Sequence, residues 1–377
     1  MRFSVSLPRP NNRPSTHTHP PKTAPLPSVP DDVPARVWRV PRGPHRERHT
    51  LRSGSETVVS ARGAGEEAVT NPKQLQSATQ TKGVRQQALT DTLAVAYETY
   101  GPSDGPPVVL LHGFPYSARA YDEVAPGLAA AGARVVVPDL RGYGSTRFRN
   151  PDTPRSGEQA ALGQDLMDLV GALGLERPVV AGYDWGGRAA CVAAAVRPDL
   201  VGGLVTVTGY NVFGPPMDRP LSPAVEHTLW YQYYLHLERG RAMLEENRRG
   251  FCRYLWRLWS PTWEFSDATF AESAVAFDNP DFVDVVLHSY RHRCGLAPGD
   301  PALAALAARL TTRPTINVPT VVLHGDQDPA PLASSEQRGR FTGPWRRRVV
   351  PGAGHNLPQE TPGPVIDAVF DLLDERS

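Results

Sequence analysis

The hexapeptide Gly182-Tyr183-Asp184-Trp185-Gly186-Gly187 separates a short apolar run, Pro178–Ala181, from a small-residue stretch of helical character, Arg188–Val196. A strand that passes into a helix through so sharp a corner leaves no room beside its apex. Small residues are therefore needed at positions −2, +2 and +3 around Asp184, and glycine fills all three. The apex side chain is then left projecting from the end of the strand. This is the pattern of a nucleophile elbow, with aspartate where serine is usual.

The text on either side of the elbow alternates strands with helices. Leu93–Tyr100, Pro107–Leu111, Arg134–Val137 and Gly203–Thr208 read as strands, while Tyr121–Ala131 and Gly157–Leu173 read as helices. Short apolar strands alternating with helices predict an α/β fold with a mostly parallel, doubly wound sheet. The rhythm stops after Thr208. A helical, aromatic-rich region follows (Leu229–Arg248, Phe251–Trp259, Pro280–Arg293) before a strand at Thr320–His324 and a helix near Pro364–Leu373. We expect a core of residues 85–212 and 314–377, interrupted by a helical cap at 213–313 above the carboxyl edge of the sheet, where open α/β sheets bind ligands.

Of 377 residues, 40% are hydrophobic and 21% charged, a globular composition. Lys+Arg 40 against Asp+Glu 39 gives a net charge of +1, which argues against a nucleic-acid or membrane-surface partner for the whole chain. No apolar run is long enough for a transmembrane helix. The balance conceals a segment, residues 1–84, that is rich in Pro and Arg and has no hydrophobic period; we expect it to be disordered. Its basic start is not followed by the apolar stretch of a secretory signal. Cys191, Cys252 and Cys294 are odd in number, far apart and without a CxxC pair. Neither a disulfide framework nor a zinc site is expected, and a cytoplasmic location fits best. The oligomeric state is left open.

A nucleophile at Asp184 asks for an acid and then a histidine later in the chain. The strand Val321–His324 runs into Gly325-Asp326-Gln327-Asp328, and Asp328 is preferred over Asp326 as the orienting acid, with Asp326 left to serve the turn. His355 follows in a loop between Gly354 and Asn356. His112 and His324 each precede a glycine at a strand end and are read as structural, bonding loop backbone.

Together His112-Gly113-Phe114-Pro115, Asp139–Ser145, the Asp184 elbow, Gly325–Asp328 and His355 make the chain resemble the α/β-hydrolases. Within them it is most similar to epoxide hydrolases and to their relatives, the haloalkane and haloacetate dehalogenases. The resemblance implies a cis Phe114–Pro115 peptide and an oxyanion hole built from the Phe114 and Trp185 amides. Tyr231-Gln232 and Tyr290-Arg291 resemble the two cap sequences that supply phenol proton donors in epoxide hydrolases. Gln232 and Trp185 would also contact substrate. Arg188 stands where haloacetate dehalogenases carry a second substrate-binding arginine, although a surface role for it is an open alternative. The neighbouring Tyr233 and Tyr234 are read as packing residues.

The aspartate narrows the chemistry. Attack by a carboxylate on an ester carbonyl would give an anhydride, whereas attack at saturated carbon gives an alkyl ester that water can cleave. The expected activity is epoxide opening to a vicinal diol, with Asp184 as nucleophile and His355 and Asp328 activating water on a small hydrophobic substrate. Dehalogenation by the same carboxylate and a low-turnover ligand-binding role are the alternatives. No phosphate loop, dinucleotide motif or metal-ligand spacing is present, so no cofactor and no metal are expected.

Overall fold

The computed structural model describes residues 83–214, 220, 222–329, 337 and 339–376. The expectation for residues 1–84 therefore falls outside the described residues, apart from its last two positions. Val84 already belongs to the first strand, because its backbone pairs with Thr99.

In chain order the core opens with β1 (Val84–Leu89), β2 (Leu93–Tyr100), β3 (Pro107–Leu111), α1 (Val124–Ala130), β4 (Arg134–Pro138) and the two-residue β5 (Arg147–Phe148). It continues through α2 (Gln159–Ala172), β6 (Val179–Gly182), α3 (Asp184–Val196) and β7 (Gly203–Val207). After β7 come α4 (Pro223–Thr228), α5 (Trp230–His236), α6 (Glu238–Trp259), α7 (Asp267–Ala274), α8 (Phe282–Arg293) and α9 (Ala304–Thr311). The sheet then resumes with β8 (Thr320–Gly325) and β9 (Trp345–Val350), followed by α10 (Leu357–Glu360) and α11 (Pro362–Asp374).

The strands form one sheet in the order β1-β2-β4-β3-β6-β7-β8-β9, with β5 on β2. Pairing is antiparallel among β1, β2 and β4 and parallel from β4 through β9. Val108–Leu111, Val179–Gly182, Gly203–Val207 and Thr320–Gly325 are buried along their whole length, as strands covered on both faces must be. Helices α2 and α3 pack together on one face, and α1 and α11 on the other. The alanine-rich α3 is nearly all buried, and its small side chains let α2 lie close against it.

The inserted helices and the last strand depart from the sequence reading. The expected helix Leu229–Arg248 is two, because the chain turns extended at Leu237 (φ −90°, ψ 157°). Helix α6 then runs on to Trp259 with a kink at Asn247 (φ −144°, ψ 44°), where the Asn247 side chain accepts the Gly250 amide. Strand β9 was not anticipated, since Arg346, Arg347 and Arg348 hide its β character. It lies at the sheet edge, where Arg346 and Arg348 pair with Asp371 of α11. Among the described residues no helix is long and apolar enough to cross a membrane.

Candidate active site

Strand β6 carries the chain to Asp184, whose φ of +50° places it in the left-handed region that an L-residue occupies only under constraint. The constraint is packing. A Cβ on Gly186 would stand 2.0 Å from the Leu111 carbonyl oxygen, and one on Gly113 would stand 2.5 Å from the Asp184 Cβ. Both glycines let the 112–115 loop approach the corner. The Asn211 amide donates to the Asp184 carbonyl at 2.9 Å, fixing the turn from the far side. His112 tethers the loop: its Nε2 accepts the Leu140 N–H at 3.1 Å and its Nδ1 donates to the Gly113 carbonyl at 3.1 Å. That arrangement needs a neutral ring, and burial lowers the His112 pKa accordingly. The Phe114–Pro115 peptide is cis. The Phe114 N–H donates to Asp184 Oδ1 at 2.8 Å. The Trp185 amide lies in the first turn of α3, among the N–H groups that a helix leaves without an internal acceptor.

On the other side of the carboxylate stands His355. Its Nδ1 is 2.9 Å from Asp328 Oδ2, and its Nε2 is 3.8 Å from Asp184 Oδ2. Burial alone would favour the neutral imidazole, but the two flanking carboxylates, Asp328 foremost, outweigh it and push the pKa up to about 10. Burial likewise opposes the charged form of Asp184, yet His355, Arg188 and the Phe114 amide hold its pKa below the usual carboxylate value. Asp326 is exposed and accepts the Gly352 amide at 2.7 Å, so it braces the turn.

The loop bearing His355 is held by a residue that motif reasoning missed. Glu360 accepts the Gly354 amide at 2.6 Å, the Asn356 amide at 2.9 Å and the Ser260 hydroxyl at 2.5 Å. The His355 amide itself donates to the Trp259 carbonyl at 3.1 Å. A carboxylate five positions after a loop histidine, at the end of a short helix, was the available signal.

The inserted helices supply the facing wall. The Tyr290 ring lies 5.5 Å from Phe114 and 6.0 Å from Trp185, while Tyr231 lies 5.4 Å from Tyr290 and 4.9 Å from Trp259. Trp259 in turn meets His355 at 5.3 Å. Both phenols are buried, and burial first, then the Asp184 charge or the neighbouring phenol, raises their pKa values. They are neutral hydroxyls, able to donate. Gln232 is buried with its amide on the Tyr231 oxygen at 3.0 Å. The Trp185 indole Nε1 is buried with no hydrogen-bond partner among the described residues.

Three expectations need adjustment. Arg188 is 5% exposed, so the surface alternative for it does not hold: α3 is covered on that side. Tyr233 is exposed and bonds Glu226 rather than packing in a core, because it sits on the outer side of α5. Tyr234 packs against Trp230 and Phe251. His324 does not bond loop backbone through Nδ1, which is buried without a partner.

Residues 106–361 match the family model for the alpha/beta hydrolase fold, the span that holds the elbow, Asp328 and His355. The chain belongs to the α/β-hydrolase family. This hydrolase is 43% identical to a solved candidate epoxide hydrolase from Klebsiella pneumoniae, with a TM-score of 0.75 over 76% of this chain and 96% of that one. It is 36% identical to epoxide hydrolase B of Mycobacterium tuberculosis over 162 residues, which are 39% of this chain and span only 45% of that relative. It is 28% identical to epoxide hydrolase A of the same organism over 332 residues, 77% of this chain and 98% of the relative. Among the hydrolase's described residues, no group of three or more His, Cys, Asp or Glu side chains could hold a metal ion.

Proposed function

We propose that this α/β-hydrolase opens epoxides to vicinal diols through an ester on Asp184. The observation that carries the reading is the pair of buried, neutral phenols, Tyr231 and Tyr290, facing a carboxylate at an elbow. A carboxylate that attacks a saturated carbon needs a leaving group, and an epoxide oxygen leaves only if it is protonated as the ring opens.

Asp184 Oδ2 attacks an epoxide carbon, the carbon–oxygen bond breaks, and a phenol of the pair gives its proton to the departing oxygen. Oδ1, already on the Phe114 amide, becomes the ester carbonyl oxygen. Esterification removes the Asp184 charge, which is one of the two that hold the proton on His355. The imidazole pKa therefore falls, and His355 gives up its proton through solvent to the phenolate left by ring opening, which restores the phenol and leaves the neutral imidazole as a base. It takes a proton from water, and the hydroxide adds to the ester carbonyl carbon. The Phe114 and Trp185 amides hold the resulting oxyanion, a contribution of about 3 kcal/mol per donor. Collapse expels the diol as an alkoxide that takes the proton of the acid formed on Asp184, which returns the carboxylate beside a protonated His355, as at the start. Asp328 keeps the imidazole oriented throughout.

In this reading residues 213–313 form the cap and 85–212 with 314–377 the catalytic core. Gln232 positions Tyr231, Trp185 lines the substrate space, and the substrate is a small, largely hydrophobic molecule. No cofactor takes part, and the enzyme works in the cytoplasm. A second reading has one observation in its favour: the unpartnered Trp185 indole N–H could receive a halide, making the reaction a dehalogenation.

Intact mass of His355→Gln after incubation with epoxides and organohalides separates the two. A gain of the whole epoxide mass, absent when Asp184→Asn is added, is the expected result. A gain equal to the organohalide minus HX would replace the first reading by the second, and no adduct from either panel on folded protein would refute both.

A further inference from the structure

Tyr231 stands on α5 and Tyr290 on α8, so the two phenols come to the site from different helices. Their rings meet edge to face, 5.4 Å between centres with the planes at 85°. Such a contact tolerates a range of offsets and does not by itself fix one helix along the other. Proton donation is less tolerant, because a donor works only within hydrogen-bond reach of the departing oxygen. The register of α5 on α8 is set instead where the two helices end.

Leu235 lies in the last turn of α5 and Tyr290 in the last turn of α8, where a carbonyl finds no amide in its own helix. Each of these carbonyls is taken by a side chain of the other helix. His236 Nε2 donates to the Tyr290 carbonyl at 3.2 Å, and Arg291 Nε donates to the Leu235 carbonyl at 3.4 Å. A carbonyl only accepts, so His236 carries a proton on Nε2. Burial first, then the Arg291 charge, lowers the His236 pKa against the opposing pull of that bond, so the ring is neutral at pH 7. The extended Leu237 then lets α6 start back against the end of α5. A Cβ on Gly240 would stand 2.2 Å from the Tyr234 carbonyl oxygen, so this corner needs glycine there. The corner brings Glu238 to Arg291 Nη2 at 3.2 Å. Glu238 is exposed, so the ion pair adds little stability and serves to aim the guanidinium.

We propose that His236 and Arg291 are positioning residues, a reciprocal clasp that holds Tyr231 and Tyr290 in the one register from which both hydroxyls reach the same epoxide oxygen. This rests on the epoxide reading of the Asp184 site. Neither side chain takes part in the reaction itself. Each holds a backbone carbonyl beside a phenol, Tyr290 in one case and the turn that follows Tyr231 in the other. Loss of either bond frees one helix to slide on the other, and the phenols then no longer converge.

The test measures kcat and KM on an epoxide for His236→Leu, which removes the donor, and for His236→Gln, whose amide nitrogen can replace Nε2. His236→Leu is expected to lose about ten- to a hundredfold in kcat with KM little changed, the effect of displacing a catalytic group by about an ångström. His236→Gln should stay within about threefold of wild type, since it keeps the bond. In protein already carrying Tyr231→Phe and Tyr290→Phe, His236→Leu should change kcat by less than about twofold, because the groups it acts through are gone. A loss that multiplies in full in that background overturns the clasp, since it marks a general effect on the fold. Arg291→Met repeats the cycle on the second bond and decides the matter if His236→Leu does not fold. A fluorine NMR spectrum of protein with 3-fluorotyrosine in place of Tyr290 reads the geometry without turnover. Its line should move in His236→Leu and return in His236→Gln, and an unmoved line overturns the clasp. A line that moves and returns in this way, in an enzyme that turns over no epoxide, keeps the clasp and refutes the epoxide reading instead.

Discussion

His355 stands between two carboxylates, and its protonation is tied to stability and, in the proposed reaction, to turnover. Its folded pKa of about 10 lies above the unfolded value of about 6.5. The stabilisation it brings is therefore complete below pH 6.5 and is lost as pH rises through about 10. Urea midpoints taken between pH 6 and pH 10.5 should fall toward the alkaline end, and His355→Gln should flatten that slope. The phenols admit a sharper test. Tyr290→Phe and Tyr231→Phe remove a proton donor and leave the ring packing, so kcat on an epoxide should fall about a hundredfold or more for the double variant, with Tm nearly unchanged. Glu360→Gln should cost about 1–3 kcal/mol in a denaturant titration, since it weakens three hydrogen bonds to a charged acceptor, and should lower kcat more than it raises KM. Asp184 and His355 were legible in the sequence because their neighbours are forced: glycines at a corner, glycine beside a loop histidine. Glu360 was not, because the loop and helix residues it bonds meet only in the folded chain.

Among the elements, the β6–Asp184–α3 corner is the least forgiving. A Cβ on Gly186 would meet the Leu111 carbonyl at 2.0 Å and the His112 carbonyl at 2.5 Å, both of them backbone atoms that cannot move aside alone. Gly186→Ala should destabilise by more than about 3 kcal/mol or yield insoluble protein, as read by a thermal melt of whatever soluble fraction remains. The buried strands of the parallel sheet were legible for a related reason: Val108–Leu111 and Val321–Leu323 lie under helices on both faces and so are apolar throughout. Strand β9 has one side in water, and its three consecutive arginines look like a solvated loop until α11 provides Asp371 as partner to Arg346 and Arg348. The break at Leu237 was hidden because the residues on both sides of it are good helix formers.

For the molecule as a whole, the inserted helices are joined to the sheet by bonds that no local pattern predicts. The Asn279 amide donates to the Tyr143 carbonyl at 3.0 Å and the Thr146 carbonyl at 2.8 Å, while its oxygen accepts the Asp281 N–H at 2.8 Å. Asn279→Ala should lower the urea midpoint by the equivalent of about 1–3 kcal/mol through buried carbonyls left unpaired. A second junction is the last turn of α6, where the Trp256 indole donates to the Pro115 carbonyl at 2.8 Å and the Trp259 carbonyl receives the His355 amide. One helix end thus fastens the loop that presents the Phe114 amide and the loop that carries His355. A swing that lifted this helix would dismantle both at once, so traffic into the site has to pass through rearranged side chains rather than under a raised lid. The same bond pair makes the inserted helices non-modular. Grafting these helices onto a relative's sheet would carry selectivity across only if both loops were transplanted with them.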